Sequence, residues 1–362
     1  MAPDKFKDTF KKIVFQVAKL SGLFRLARWS TRNQLLILCY HGFELVDESR
    51  FRPMLFMRSE VFARRLATIR RHGHTVLPLA EAVRKLREGA LPRNAVCLTI
   101  DDGFYSVLAC AAPLLRQQGF PATLYVTSYY ADKRSPIFRL VVQYMFWKTS
   151  VRTFDVSGQP WDPPGSVDLS DQRAAARAMW GIIDYGENQC DESGREEISR
   201  MLGERLDVDY AFIARSRMLS LVGAEEIRQL SDAGIDIQLH THRHRLPQDD
   251  EAALRREILE NARFLEGILT RPVQHLCYPS GLWAPSQWST LAELGVATAT
   301  TCEPGFNTAE TPALGLYRVL DDSTLSQLAF EAELSGFSEW LRRIAGKRRK
   351  SDLKRRSGLA SA

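Results

Sequence analysis

The stretch Ala95-Val96-Cys97-Leu98-Thr99-Ile100-Asp101-Asp102-Gly103 decides the fold. An apolar run that reads as a strand is followed at once by two carboxylates and a glycine. The run is continuous rather than alternating, which indicates a strand buried on both faces, as in a parallel sheet. A second stretch repeats the pattern: Ile235-Asp236-Ile237-Gln238-Leu239 runs directly into His240-Thr241-His242-Arg243-His244. Carboxylates and imidazoles at the ends of core strands are costly to bury unless something pairs with them. A divalent metal with an activated water accounts for both clusters, and that combination hydrolyses.

Working outward, further strands are expected at Leu35–Tyr40, His74–Leu79, Ala122–Thr127, Val273–Tyr278, Val296–Thr301 and Leu316–Leu320. Helices fall between them. One has Ser59 as its expected N-cap and ends at Gly73; others run Ala80–Glu88, Phe104–Gln118, Ala224–Ala233, Asp249–Leu269 and Pro285–Leu294. Strand then helix, repeated six or seven times, predicts an α/β fold, with a closed or nearly closed (β/α) barrel as the leading architecture. Such barrels gather their chemistry at the C-terminal ends of the strands. Both polar clusters sit there, as does Tyr40-His41-Gly42. Residues 131–220 interrupt the rhythm, and this insertion either shapes access to the catalytic face or decorates the periphery.

The chain has 362 residues, 45% hydrophobic and 25% charged, the balance of a soluble globular protein. No run approaches the ~18 apolar residues of a membrane span, and the start lacks the pattern of a secretory signal. Net charge is +6 and is concentrated at the ends. Residues 1–33 read as a basic amphipathic segment, with Phe10, Ile13, Val17, Leu20 and Phe24 at helical spacing among lysines and arginines. That pattern fits a helix on a membrane surface or one packed on its own domain. Residues 34–335 form the expected main domain, and the basic tail 336–362 is expected to be disordered. Six cysteines form no C-x-x-C pair and imply no disulfide framework, which favours a reducing, cytoplasmic setting. The basic ends carry no recognised nucleic-acid-binding motif, so no nucleic-acid partner is expected.

Asp101 and Asp102 leave their strand in different directions, so one can bind metal while the other faces an attacking water. Alone, Asp-Asp-Gly is also ordinary turn chemistry. Three of the seven histidines within five residues shift the balance. If the four-residue step from His240 to His244 forms a helical turn, both imidazoles project on one face. Asp102 would complete a two-histidine, one-carboxylate set with positions open for water and substrate, and His242 would point elsewhere.

These residues resemble the polysaccharide deacetylases, the NodB-homology group of carbohydrate esterase family 4. Six pieces occur in family order. Leu38-Cys39-Tyr40-His41 is similar to the opening strand motif of the exopolysaccharide branch, and Thr99-Ile100-Asp101-Asp102-Gly103 to T-F-D-D-G. Gly119-Phe120-Pro121-Ala122-Thr123-Leu124-Tyr125-Val126 resembles G-x-P-A-T-x-F-V, and His240 to His244 fit H-[ST]-x-x-H. Tyr278-Pro279-Ser280-Gly281 resembles Y-P-x-G, and Leu316-Tyr317-Arg318-Val319 a late L-P-R-I motif.

The resemblance implies a distorted (β/α) barrel and metal-dependent removal of acetyl from an N-acetylated sugar, usually with zinc. It implies Asp101 as general base and Asp102, His240 and His244 as metal ligands, with Tyr278 and Ser280 at the substrate or oxyanion position. Two departures stand out. Cys277 occupies the place of an arginine that orients the catalytic aspartate in many members, and Arg318 is the expected replacement. No histidine follows His275, so the late family histidine is absent and His41 is the expected proton donor. The expected substrate is an N-acetylated glycan or a lipid-linked sugar, with peripheral contact at the inner membrane face. The alternatives are hydrolysis of another C–N bond on the same scaffold, or a glycan-binding protein without activity.

Overall fold

The structure, a computed structural model, describes residues 3–346 apart from 134, 156, 158, 159 and 162–164, with side chains from residue 11 onward. Nine strands make one curled sheet: β1 (Leu35–Tyr40), β2 (Thr75–Val76), β3 (Ala95–Ile100), β4 (Ala122–Val126), β5 (Ile235–Leu239), β6 (His275–Cys277), β7 (Thr298–Thr300), β8 (Phe306–Asn307) and β9 (Val319–Leu320). The order along the sheet is β7-β6-β5-β4-β3-β1-β8, with β2 beside β3 and β9 beside β1. All pairings are parallel except β1 with β8. Every residue of β1, β3 and β4 is buried, as their unbroken apolar runs require.

The ring is joined by a single short segment. Leu316 bridges Thr300 at the end of β7, and three residues later Val319 pairs with Leu38 of β1. The sheet is therefore a distorted, partly open barrel, and residues 316–320 draw its two edges together. The His74–Leu79 run is shorter in strand form than its apolarity suggested, since Pro78 precedes a helix, Leu79–Arg87. The helix expected from Phe104 opens with a π turn, Val107–Ala111, before regular α geometry from Ala112 to Gln118. Arg58 rather than Ser59 stands at the N-cap position of the helix Ser59–Arg71, with no capping bond from its side chain.

Residues 128–216 carry five helices and a small antiparallel pair, Thr153–Asp155 with Ser166–Asp168. They enclose a separate apolar core that includes Phe138, Met145, Ile182 and Leu202. Phe56 and Phe104 belong to the same core and pack at 4.9 Å, which ties the insertion to the barrel.

At the N-terminus, helices Pro3–Leu20 and Leu23–Thr31 pack through Phe15, Ala18, Phe24 and Ala27 onto Ala332 and Phe337. The expected tail does not begin at 336. Phe337–Ile344 is a helix whose Phe337 enters that cluster and whose arginines pair with Glu333 and Glu339. Residues 347–362 lie outside the described residues.

Candidate active site

The C-terminal ends of β1, β3, β5 and β6 deliver His41, Asp101–Asp102, His240–His244 and Tyr278–Ser280 to one place. Non-glycine residues with left-handed backbone concentrate there: Asp102 (φ 72°), Thr241 (φ 64°), His244 (φ 55°) and Ser280 (φ 56°). Such conformations each cost on the order of 1 kcal/mol or more and persist where the surroundings fix them, typically at functional sites.

Asp102, His240 and His244 converge as expected. Asp102 Oδ1 lies 3.2 Å from His240 Nε2 and 3.3 Å from His244 Nε2. Two ligand atoms at ordinary zinc distances in a tetrahedron stand about 3.4 Å apart. The three donor atoms all fall within 4.8 Å of one another, which makes this a candidate cation set. Burial alone would raise the Asp102 pKa, but hydrogen bonds from His240 and His244 hold its carboxylate well below the usual range. The two histidines do not share a helical turn. Residues 240–244 form a bent loop, and left-handed backbone at Thr241 and His244 aims the two rings to within 4.8 Å of each other. Arg245 N–H donates to Thr241 Oγ1 at 3.1 Å, and Glu257 accepts from the backbone of His242 and Arg243. His242 turns away, with Nδ1 at 2.9 Å from Ser128 Oγ.

His240 is fixed from behind. Its Nδ1 lies 2.9 Å from the Cys277 carbonyl, which sets the tautomer that leaves Nε2 facing Asp102. Its backbone N–H donates to Asn261 Oδ1 at 2.9 Å, and Asn261 Nδ2 donates to the Val126 carbonyl at 3.0 Å. Asn261 escaped the sequence reading. Its signal was there: it continues the buried stripe Leu254, Ile258, Leu265 of helix Glu251–Leu269, where a polar residue needs a reason.

Asp101 belongs to a different assembly. Arg318 Nη1 donates to its Oδ1 at 2.7 Å and Nη2 to its Oδ2 at 2.8 Å, a bidentate pair in which both residues are buried. Arg318 Nε donates to the Thr301 carbonyl at 2.9 Å and Nη1 also reaches Thr99 Oγ1 at 3.2 Å. The arginine arrives on the segment that closes the barrel. Burial would raise the Asp101 pKa, but the charge and hydrogen bonds of Arg318 pull it well below the usual carboxylate range. The Cys277 thiol donates to Asp101 Oδ2 at 3.2 Å, and burial raises its own pKa so that it stays protonated. Asp101, His240 and Cys277 also cluster closely. The guanidinium already holds both Asp101 oxygens and the thiol is protonated, which leaves this trio unfit to hold a metal.

His41 Nε2 lies 3.8 Å from Asp101 Oδ2 and its side chain is partly exposed. Ser280 is exposed and lines the cleft beside His244. Tyr278 is not brought to the cleft. Its ring is buried and stacks on Trp283, and its hydroxyl donates to the Leu314 carbonyl at 2.8 Å. His275 is a core residue bonded to Thr298 Oγ1 at 2.8 Å.

The cleft holds about 360 Å³. Tyr129, Tyr130, Arg139, Arg195, Arg243 and Ser280 are among its lining residues. Tyr129 lies under two guanidinium groups, those of Arg195 (5.9 Å) and Arg243 (5.8 Å). Glu187 pairs with Arg139 at the margin. Side chains of the insertion thus line the same recess as His244 and Ser280.

The polysaccharide deacetylase family model matches residues 188–299, a segment that contains β5 and the His240–His244 loop. No curated protein matches the chain by sequence. Among solved structures, the Streptococcus pyogenes deacetylase PplD in complex with acetate aligns with a TM-score of 0.55 at 16% identity, over 84% of this chain and 99% of that one. IcaB from Ammonifex degensii aligns with a TM-score of 0.53 at 18% identity, over 83% of this chain and 97% of its own. A polysaccharide deacetylase from Bacillus cereus gives 0.50 at 16% identity, over 83% and 69%. At these identities the structural likeness is one of fold. Over residues 188–299 the chain is similar to the polysaccharide deacetylase family, and its fold is that of the deacetylases it aligns with.

Proposed function

We propose that this protein removes N-acetyl groups from an amino sugar within a glycan or glycolipid, using a divalent cation, zinc in the first instance. The observation that carries the reading is the division of labour between the two aspartates. Asp102 stands within ligand spacing of His240 and His244, while Arg318 engages both oxygens of Asp101. A cation held by Asp102, His240 and His244 would polarise the acetyl carbonyl and make a water more acidic.

The chain's own groups do the rest. Asp101 is kept ionised and takes a proton from the attacking water, whose oxygen bonds to the carbonyl carbon. Arg318 and Cys277 fix the orientation of that carboxylate. When the C–N bond breaks, the nitrogen leaves with a proton supplied by His41, and acetate and the free amine result. Backbone near Ser280 at the cleft edge suits the developing oxyanion. A cytoplasmic location, peripheral at the inner membrane face, and a lipid-linked form of the substrate complete the reading, supported by the basic N-terminal segment.

The test is acetate release from N-acetylated chito-oligosaccharides and lipid-linked N-acetyl sugars, paired with metal analysis of the purified chain. Release that stops on chelation and returns with zinc is expected. Bound metal with no acetate from any substrate would instead support cleavage of another C–N bond or glycan binding alone.

A further inference from the structure

Helix Pro3–Leu20 has two apolar stripes. Phe15 and Ala18 face the protein, and Ile13, Val17 and Leu20 are 57%, 59% and 77% exposed. Helix Leu23–Thr31 repeats this: Phe24 and Ala27 are buried while Leu26 and Trp29 are 52% and 62% exposed. Helix Phe337–Ile344 packs on the second of these and ends in Ile344, 80% exposed. A helix that simply covers a core has one apolar side. Here half of the large exposed hydrophobic residues of the described chain gather on three adjoining helices.

The same helices are basic. Lys11, Lys12, Lys19 and Arg25 are exposed among these apolar groups. Arg25 and Arg28 also line a recess of about 220 Å³ with His72, where Lys19 pairs with Glu331. The run Lys347-Arg348-Arg349-Lys350 follows the third helix in sequence. Apolar side chains able to enter the acyl boundary, surrounded by cations able to meet lipid phosphates, are complementary to an anionic bilayer.

We infer that these three helices form one docking face for an anionic membrane surface, and that the docked protein holds its active site away from the bilayer. This builds on the peripheral placement proposed above and extends it to the C-terminal helix and to an orientation. Four contacts put the face at the N-terminal end of the sheet. Helix Leu23–Thr31 leads straight into β1, Asn94 N–H donates to Arg32 O just before β3, Arg28 donates to His72 O just before β2, and Arg343 donates to Gln34. The metal-ligating residues and Asp101 lie at the C-terminal ends of the same strands. A six-residue strand spans about 20 Å and barrel strands tilt by about 35–45°, so the sugar that enters the cleft stands on the order of 15 Å from the headgroups. The substrate position is therefore several units out along a carrier-linked glycan, or in free polymer, rather than the first sugar on a lipid.

Flotation of the full chain with phosphatidylglycerol-containing vesicles, against phosphatidylcholine alone, tests the docking. Wild type floats with the anionic vesicles and is released by salt. The double substitution Leu26→Ser/Trp29→Ser and, separately, Arg25→Glu reduce the bound fraction at least tenfold, with acetate release from soluble oligosaccharides unchanged. Equal partition to both vesicle types, or undiminished binding of the double variant, would overturn the inference. So would a dimer in light scattering that Leu26→Ser/Trp29→Ser dissolves, since a second copy would then cover the face. Flotation needs no turnover, so its failure is distinct from a failure of the deacetylase reading. Acetate release at equal rates from a lipid-linked monosaccharide and a long lipid-linked glycan in the same vesicles would overturn the orientation alone.

Discussion

Arg318 holds both carboxylate oxygens of Asp101, at 2.7 and 2.8 Å, and reaches them from the segment that closes the barrel. A lysine at this position keeps the charge and loses the fork. Arg318→Lys should therefore lower turnover and melting temperature together. Arg318→Met, which strands a buried carboxylate, should cost about 3–5 kcal/mol of stability. Acetate release and thermal denaturation check both. Full turnover in Arg318→Lys would end the positioning role.

The two adjacent aspartates should separate cleanly by experiment. Asp101→Asn should keep its metal and lose about 10²–10⁴-fold in turnover, the range for a removed general base. Asp102→Asn and His240→Ala should lose the metal itself. Metal content measured beside acetate release distinguishes the outcomes, and loss of metal in Asp101→Asn would reverse the assignment.

Burial favours the protonated form of Asp101, and the Arg318 charge more than offsets it, so the folded pKa is depressed below the unfolded value of about 3.9. The stabilisation is then present above the unfolded value and is lost as pH falls through the folded one. Wild type should lose stability more steeply than Asp101→Asn on acidification below about pH 4, seen as converging denaturation midpoints.

Asn261 ties His240 to β4 through three hydrogen bonds, to His240 N–H, Val126 O and Ser128 Oγ. Asn261→Leu leaves buried partners unsatisfied, at about 1–3 kcal/mol for a group so stranded. Metal affinity should fall about 10–100-fold, as for other groups that orient a ligand from behind. Calorimetric titration with zinc checks this. Unchanged affinity would show that Cys277 O alone sets the His240 ring.

Two glycine substitutions should move in opposite directions. Gly281 has φ +66°, and an added Cβ would stand 2.8 Å from Cys302 Cβ, so Gly281→Ala should destabilise by more than about 1 kcal/mol. Gly267 lies within helix Glu251–Leu269 with nothing within 4 Å of a new Cβ. Gly267→Ala should stabilise by about 0.4–1 kcal/mol. Denaturant midpoints of the two variants give the comparison.

The sequence by itself determined the parallel sheet, because runs such as Leu35–Tyr40 and Ala95–Ile100 leave no polar face to show to water. It also marked the carboxylates and imidazoles at strand ends, a clustering that made them a candidate cation set. The order of the motifs along the chain carried a resemblance to the family whose model matches residues 188–299.

What the tertiary structure decided depends on contacts between distant residues. That Arg318 meets Asp101, 217 positions away, follows from the closure of the ring at Leu316 and Val319, which no local pattern encodes. The convergence of His240 and His244 through left-handed backbone rather than a helical turn depends on Thr241 and Glu257 holding the loop. Tyr278 turned inward because its hydroxyl found the Leu314 carbonyl and its ring found Trp283. Helical periodicity in residues 1–33 shows apolar residues among basic ones without saying which of them the protein covers. Packing settles it, burying Phe15 and Phe24 and leaving Val17 and Trp29 in the open.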